Sequence, residues 1–324
     1  GVQPYGFFVD IAGKIKETVS IPVSTVGRII DPVMAERILE SNKADIVGLG
    51  RPLLADPDWV NKTASGNPCD IRRCISCNKG CTDNIQNRTF LSCVLNAENG
   101  YEEKRCITPA DVKKNIVIVG GGCAGLEAAR VAAQKGHTVT LFEKESSLGG
   151  QLTIACVPPR KEEMRRAIYN LVHAVNKEGV TLRIGETATL EKILSLSPDA
   201  VIIATGAHSF MPPIQGINNS NVCDAWEILS GKQQVYGKVA VIGGGMVGCE
   251  TAEYLAERGA EVSIIEMMDT IAKGESSTIL PTLMENYQKY HVAQYTGHTV
   301  KEITLTEVIC ETKENSHISI PCDY

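Results

Sequence analysis

One glycine pattern occurs twice in this chain at an offset of 123 residues: Gly120, Gly122, Gly125, Gly136 and Glu143 recur as Gly243, Gly245, Gly248, Gly259 and Glu266. In the first copy the apolar run Asn115 to Val119 enters the glycines, an alanine-rich stretch follows, and a second apolar run, Thr138 to Phe142, closes on the acid. The second copy begins after Lys238. This is the strand, turn, helix, strand order of a dinucleotide site. The first glycine allows a tight turn, the second lets the backbone approach a pyrophosphate, and the third packs helix on strand. The pyrophosphate would sit on the helix N-terminus and the acid would accept ribose hydroxyls. A bare GxGxxG says little, but five coincident positions with the right flanking elements are not a chance match. An α/β protein with two Rossmann-like modules is expected.

With 324 residues, of which 43% are hydrophobic, the chain exceeds one ordinary core, so two or three domains are expected. The net charge of -6 argues against a phosphate-binding face, and hence against nucleic acid as a partner. No apolar run approaches the roughly eighteen residues of a membrane span, and the start lacks the order of a signal peptide. A soluble, cytoplasmic protein with no membrane partner is expected, and nothing in the sequence sets an oligomeric state. The absence of Met at Gly1 and the uncapped strand-like run His317 to Tyr324 lead to the expectation of a fragment cut at both ends.

Twelve cysteines without an export signal fit a reducing compartment and a metal or cluster site better than a disulfide framework. Cys74, Cys77, Cys81 and Cys93 are separated by two, three and eleven residues, so three thiolates come from one tight loop and the fourth returns from a neighbouring turn. Gly80 permits a sharp path between Cys77 and Cys81. A three-plus-one spacing is more usual for iron–sulfur ligation, whereas zinc sites pair two short knuckles. The spacing favours a [4Fe-4S] cluster, with structural zinc as the rival. Cys69, Cys106, Cys123, Cys156, Cys223, Cys249, Cys310 and Cys322 lack ligand spacing and are expected to be small core residues.

Residues 1–66 alternate short strands and helices: a helix over Phe8 to Val19, a strand Ile21 to Val26, a helix from Pro32 and a strand Asp45 to Leu49. Asp31-Pro32 and Asp56-Pro57 each place a capping carboxylate before a proline at the first helical position. Each strand ends in Gly-Arg, as Gly27-Arg28 and Gly50-Arg51, a combination suited to phosphate. Consecutive loops of this kind match the phosphate site that barrel enzymes build after strands 7 and 8, although two turns with surface arginines satisfy the same spacing. Residues 67–111 read as a loop-rich cysteine segment, 112–210 as the first nucleotide domain and 211–324 as the second. The stretch Arg160 to Arg166, with Glu162 and Glu163 interleaved, reads as a solvated helix face.

Asp199 to Ala204, a buried-type strand ending in Thr205-Gly206, resembles the ATG crossover of two-domain flavoproteins, and Gly149-Gly150-Gln151 resembles their flavin-side loop. That resemblance implies FAD at Gly120, Gly122, Gly125, Glu143 and Gln151, and NAD(P)H at Gly243, Gly245, Gly248 and Glu266. Glu266 would repel a 2′-phosphate and no base follows it before Lys273, so NADH is expected over NADPH.

The loops Ser24-Thr25-Val26-Gly27-Arg28-Ile29 and Gly48-Leu49-Gly50-Arg51-Pro52, the cysteine spacing and the paired nucleotide folds together resemble the iron–sulfur flavoprotein branch of the old yellow enzyme family. That branch includes 2,4-dienoyl-CoA reductase and 2-enoate reductase. The resemblance implies that residues 1–66 are the C-terminal end of an FMN-binding (β/α)8 barrel, with Gly27, Arg28, Gly50 and Arg51 at the FMN phosphate. Electrons would pass from NADH through FAD, the [4Fe-4S] cluster and FMN to an activated C=C bond of a small acid, CoA thioester or enone. The catalytic acid is expected upstream of Gly1, the return strand of the FAD domain lies beyond the sequence, and two barrel strands alone are expected to be inactive. Two other activities fit the same pattern: an amine dehydrogenase of the family, and an electron-transfer subunit resembling the small subunit of glutamate synthase.

Overall fold

The computed structural model describes residues 3–324, so expectations about Gly1 lie outside the described residues. The chain divides into two compact units. The first comprises residues up to Thr153 together with Glu163–Gly206, and the second comprises Ile154–Glu162 and Ala207–Tyr324.

The first unit opens with the helix Val9–Lys16, strand β1 (Ser24–Thr25), the helix Pro32–Glu40 and strand β2 (Ile46–Val47). β1 and β2 are parallel, with Ser24 opposite Ile46 and Thr25 opposite Val47. Both are shorter than their apolar patterns because, among the described residues, they pair only with each other and Gly27 turns the chain away at φ +114. The helix Pro32–Glu40 starts as its sequence indicates: Asp31 accepts the Val33 N–H at 2.8 Å, and Pro32 fills a position whose N–H would be orphaned anyway. Asp56 does not repeat this. The helix Trp59–Ala64 begins beyond Asp58, and the Asp56 carboxylate, 1% exposed, accepts the N–H groups of Asp58 and Arg72 and the Lys62 ammonium. A carboxylate this deeply buried needs several donors, and one helix N-terminus would not have supplied them.

Strands β3 (Asn115–Val119), β4 (Thr138–Glu143), β5 (Thr181–Ile184) and β6 (Ala200–Ile203) form a parallel sheet in the order β5-β4-β3-β6. The helices Cys123–Gln134 and Arg165–Lys177 pack with it around Ile118, Leu126, Ala129, Leu141 and Val175, all fully buried. Ala129 and Ala132 let the first helix lie close, and truncating Leu126 to Ala would cost about 2–5 kcal/mol. Sequence reasoning expected β6 to be buried. Instead Val201, Ile202 and Ile203 are exposed, because β6 is an edge strand bonded only to β3.

The second unit repeats the plan with β7 (Lys238–Ile242), β8 (Glu261–Glu266) and β9 (Ala293–Thr296), all parallel, and the helix Met246–Glu257 between the first two. Tyr287 fills the core from the helix Leu280–Lys289 and donates its hydroxyl to the Cys249 carbonyl at 2.7 Å. β10 (His298–Ile303), β11 (Glu307–Thr312) and β12 (His317–Pro321) form an antiparallel sheet. The strand-like run His317 to Tyr324 is therefore the third strand of that sheet, followed by residues that bond to β7: the Ala240 N–H reaches the Tyr324 carbonyl at 2.8 Å. Cys156, Cys249, Cys310 and Cys322 are buried as expected, and Cys223 is half-buried. Cys69, Cys106 and Cys123 are exposed, Cys69 in the 3-10 turn Pro68–Asp70, Cys106 at the end of the short helix Glu102–Arg105 and Cys123 at the open start of a helix. Among the described residues no helix is long and apolar enough to cross a membrane.

Candidate functional site

Both glycine loops take the geometry their chemistry needs. Gly120 and Gly243 turn at φ +109 and +101, in the left-handed region closed to most side chains. A Cβ on Gly125 would lie 1.9 Å from the Gly120 oxygen, and one on Gly248 would lie 1.9 Å from the Gly243 oxygen, so the third glycine is where helix and strand touch. The second glycine differs. A Cβ on Gly122 would meet nothing nearer than Gly150 Cα at 3.9 Å, and one on Gly245 nothing within 4 Å. The space above these residues is unfilled by protein, and no side chain caps the helices Cys123–Gln134 and Met246–Glu257 that start there. Uncapped N–H groups beside a clear backbone surface fit a pyrophosphate.

The acids close each loop in the same way. Glu143 accepts the Gly121 N–H at 2.7 Å and the Glu145 N–H at 2.8 Å, while Glu266 accepts those of Gly244 and Met268 at 2.7 Å each. Each carboxylate is thereby held at the end of its strand beside the glycines, where ribose hydroxyls could reach it. The first loop has additional walls. Gly149 bridges to Gly122 and donates to the Gly121 carbonyl at 2.9 Å, and a Cβ on Gly206 would lie 3.1 Å from the Gln151 side-chain nitrogen. Gln151 and the Thr205-Gly206 crossover therefore meet at the first nucleotide loop.

Cys74, Cys77, Cys81 and Cys93 line one cavity, together with Arg51, Leu54, Asn78 and Gly80. The loop wraps through left-handed residues Ser76 (φ +54) and Asn78 (φ +60). It closes where the Ser92 N–H meets the Gly80 carbonyl at 2.7 Å. A Cβ on Gly80 would sit 2.7 Å from the Ser92 oxygen, so glycine is required there. The Ser76 N–H points at Cys74 Sγ, 3.4 Å away. Burial pushes the Cys74 and Cys77 thiols up, opposed at Cys74 by the Ser76 N–H and the Arg51 charge and at Cys77 by the Lys79 N–H. Four sulfurs around one cavity, with an N–H on sulfur and a guanidinium in the wall, fit a thiolate-ligated anionic group. Among the described residues, no three His, Cys, Asp or Glu side chains are grouped closely enough to hold a metal ion as they stand.

The Gly-Arg loops are more committed than their sequence suggests. Arg28, itself left-handed at φ +52, donates to the Gln3 carbonyl and the Glu163 carboxylate and lies 4.3 Å from the centre of the Tyr5 ring. Arg51 donates to the Asn78 side chain, which puts it with the cysteines. The stretch Arg160 to Arg166 is not one solvated helix face, because it breaks into the 3-10 turn Glu162–Met164 and the helix Arg165–Lys177. Arg160 pairs with Glu253, Lys161 with Glu250 and Glu163 with Arg28.

Glu163 and Asn96 were not apparent from the sequence. Asn96 bridges to Cys93 and donates to the Leu54 carbonyl at 3.0 Å, fixing the fourth cysteine's turn to the helix Arg51–Ala55. An asparagine three residues beyond the last cysteine was its one local signal. Glu163 had none, since its partner Arg28 lies 135 positions away.

A family model described as pyridine nucleotide-disulphide oxidoreductase matches residues 114–324, and one described as NADH:flavin oxidoreductase / NADH oxidase family matches residues 8–70. Bilirubin reductase of Mediterraneibacter gnavus (strain CC55_001C) is 56% identical over 324 residues, covering 100% of this chain and 50% of that protein. Cinnamate reductase of Clostridium sporogenes (strain ATCC 7955) is 38% identical over 270 residues, covering 83% of this chain and 40% of that protein. A solved complex of 2-naphthoyl-CoA reductase with 2-naphthoyl-CoA matches with a TM-score of 0.94 at 31% identity, over 99% of this chain and 49% of that one. The chain thus spans half the length, or less, of each of these three relatives.

Proposed function

Because the chain belongs to the pyridine nucleotide-disulphide oxidoreductase family, joined to a segment of the NADH:flavin oxidoreductase (old yellow enzyme) family, we propose that it carries electrons from NADH toward reduction of an activated C=C bond. The observation that carries this reading is the presence in one chain of two uncapped glycine loops with carboxylates at their mouths and a four-cysteine cavity. Relatives named for cinnamate and 2-naphthoyl-CoA reduction support an unsaturated acid or its CoA thioester as the substrate class. When bound, FAD, a [4Fe-4S] cluster and FMN would supply the redox steps between NADH and the double bond.

This chain's own residues would bind and orient those groups. Gly120, Gly122 and Gly125 would let the FAD pyrophosphate approach the helix Cys123–Gln134, with Glu143 on the ribose and Gln151 on the flavin side. Gly243, Gly245 and Gly248 would do the same for the nicotinamide nucleotide. Glu266, already oriented by Gly244 and Met268, would accept both ribose hydroxyls and disfavour a 2′-phosphate. Cys74, Cys77, Cys81 and Cys93 would ligate the cluster, and Gly27 and Gly50, with the arginines beside them, would lie at the FMN phosphate as the end of a barrel.

The test uses the full natural protein, prepared anaerobically. Released flavins should include both FAD and FMN, and the protein should contain iron and acid-labile sulfide in place of zinc. It should oxidise NADH when supplied with an enoate or a 2,4-dienoyl-CoA. Gly122→Ala should lose FAD and Gly245→Ala should raise the KM for NADH, each with little change in the Tm of the cofactor-free protein, because neither added Cβ comes nearer to protein than 3.9 Å. Zinc at the cysteines, or a strong preference for NADPH, would overturn the corresponding assignment.

A further inference from the structure

We propose that Arg51 sets the electrostatic environment of the group held by Cys74, Cys77, Cys81 and Cys93, whatever else its guanidinium binds. The proposal rests on the iron–sulfur reading above. Arg51 is the first residue of the helix Arg51–Ala55, and its guanidinium donates to Asn78, which lies between Cys77 and Cys81 in the cysteine loop. Arg51, Asn78 and all four cysteines line the same cavity. Leu54, one turn along the same helix, also lines it, and its carbonyl accepts the Asn96 amide that holds the Cys93 turn. The helix carrying Arg51 is therefore fixed to both arms of the cysteine loop.

The neighbouring arginines are engaged elsewhere: Arg72 donates to the Leu95 carbonyl, and Arg73 pairs with Asp31 at 2.8 Å. Among the residues lining the cavity, Arg51 is the one cation. A guanidinium keeps its charge at any pH a protein survives, so this is a fixed field. A cluster with four thiolate ligands is anionic and becomes more so when it accepts an electron. A fixed positive charge in its wall stabilises the reduced state more than the oxidised one and raises the reduction potential.

The test compares the full iron-loaded protein with its Arg51→Gln and Arg51→Lys variants. The midpoint potential of the centre is read by dye-mediated titration with EPR detection, and FMN content is measured after release. Arg51→Gln should shift the midpoint to a more negative value, and Arg51→Lys should keep it near the parent value. Should Arg51→Gln fail to hold iron, Arg51→Met, whose apolar stem preserves the packing, should show the same negative shift. An unmoved midpoint in an iron-loaded charge-deleted variant overturns the proposal, whether or not that variant keeps its FMN. If the parent protein itself holds zinc, the iron–sulfur reading is what fails.

Discussion

Gly120 and Gly243 take nearly the same backbone turn, and the acids 23 residues beyond them hold the next glycine's N–H at the same distance of 2.7 Å, yet their surroundings differ. A Cβ on Gly120 would lie 2.3 Å from the Ala204 oxygen, and Gly149 and Gly150 run beside Gly122. A Cβ on Gly243 would meet nothing within 4 Å. The shared part is what the nucleotide fingerprint encodes: a left-handed turn, a bare approach surface and a helix–strand contact. The difference comes from segments outside the fingerprint, the Thr205-Gly206 crossover and the Gly149-Gly150-Gln151 loop. One copy is a walled cradle and the other an open one.

The comparison breaks most visibly at the third glycine. Gly125→Ala and Gly248→Ala should each destabilise their unit by about 3 kcal/mol or more, because a Cβ 1.9 Å from a backbone oxygen forces helix and strand apart. Urea unfolding of each variant would show it, and parent-like stability in either one would mean that its loop is less rigid than its twin.

The first glycine should separate the copies. Gly243→Ala carries only the strain of a left-handed residue, about 1–2 kcal/mol, whereas Gly120→Ala adds a backbone clash and should cost about twice as much. Equal losses would show that the Ala204 wall yields.

Glu143→Ala and Glu266→Ala should be closer to each other, at about 1–3 kcal/mol, since each strands two backbone N–H groups. The first should cost more, because Glu143 is 7% exposed and Glu266 is less deeply buried. Paired thermal melts would decide the order.

The smallest effect concerns pH. Asp70 is held below the ordinary carboxylate value by Lys177 and then by His173, which tie the entry to the cysteine loop to the helix Arg165–Lys177. A lowered folded-state pKa means that this stabilisation is fully present above the unfolded value, about 4, and is lost as pH falls through the lower folded value. Asp70→Asn should remove that part of the acid-induced decline, and an unchanged Tm profile between pH 5 and 2.5 would show that the pairing contributes nothing.

What could be read from the sequence was local or periodic. The 123-residue repeat, the capping pair Asp31-Pro32 and the loop around Gly80 depend on neighbours a few positions apart, and the structure places each where its spacing implied. Asp56-Pro57 has the same local spelling as Asp31-Pro32, but its carboxylate is drawn to Arg72, sixteen residues on, because burial demands more donors than one helix start offers. The exposure of β6 depends on sheet order, which periodicity does not encode. The commitments of Arg28 to Glu163 and of Arg51 to Asn78 depend on which distant side chains arrive at the same place. Gly-Arg spelled a phosphate site equally well with or without them.

The segment Ile154–Glu162 has a kinetic consequence. It is synthesised between two elements of the first unit but belongs to the second, where Arg160 and Lys161 meet Glu253 and Glu250, 93 and 89 positions later. During vectorial synthesis it must wait, unpartnered, until the helix Met246–Glu257 emerges. Glu253, 6% exposed, has no guanidinium to meet unless this earlier stretch has been left accessible. The second unit's folding therefore includes a distant loop closure to a segment outside its main run, and its completion is timed by residues translated well before its own first strand.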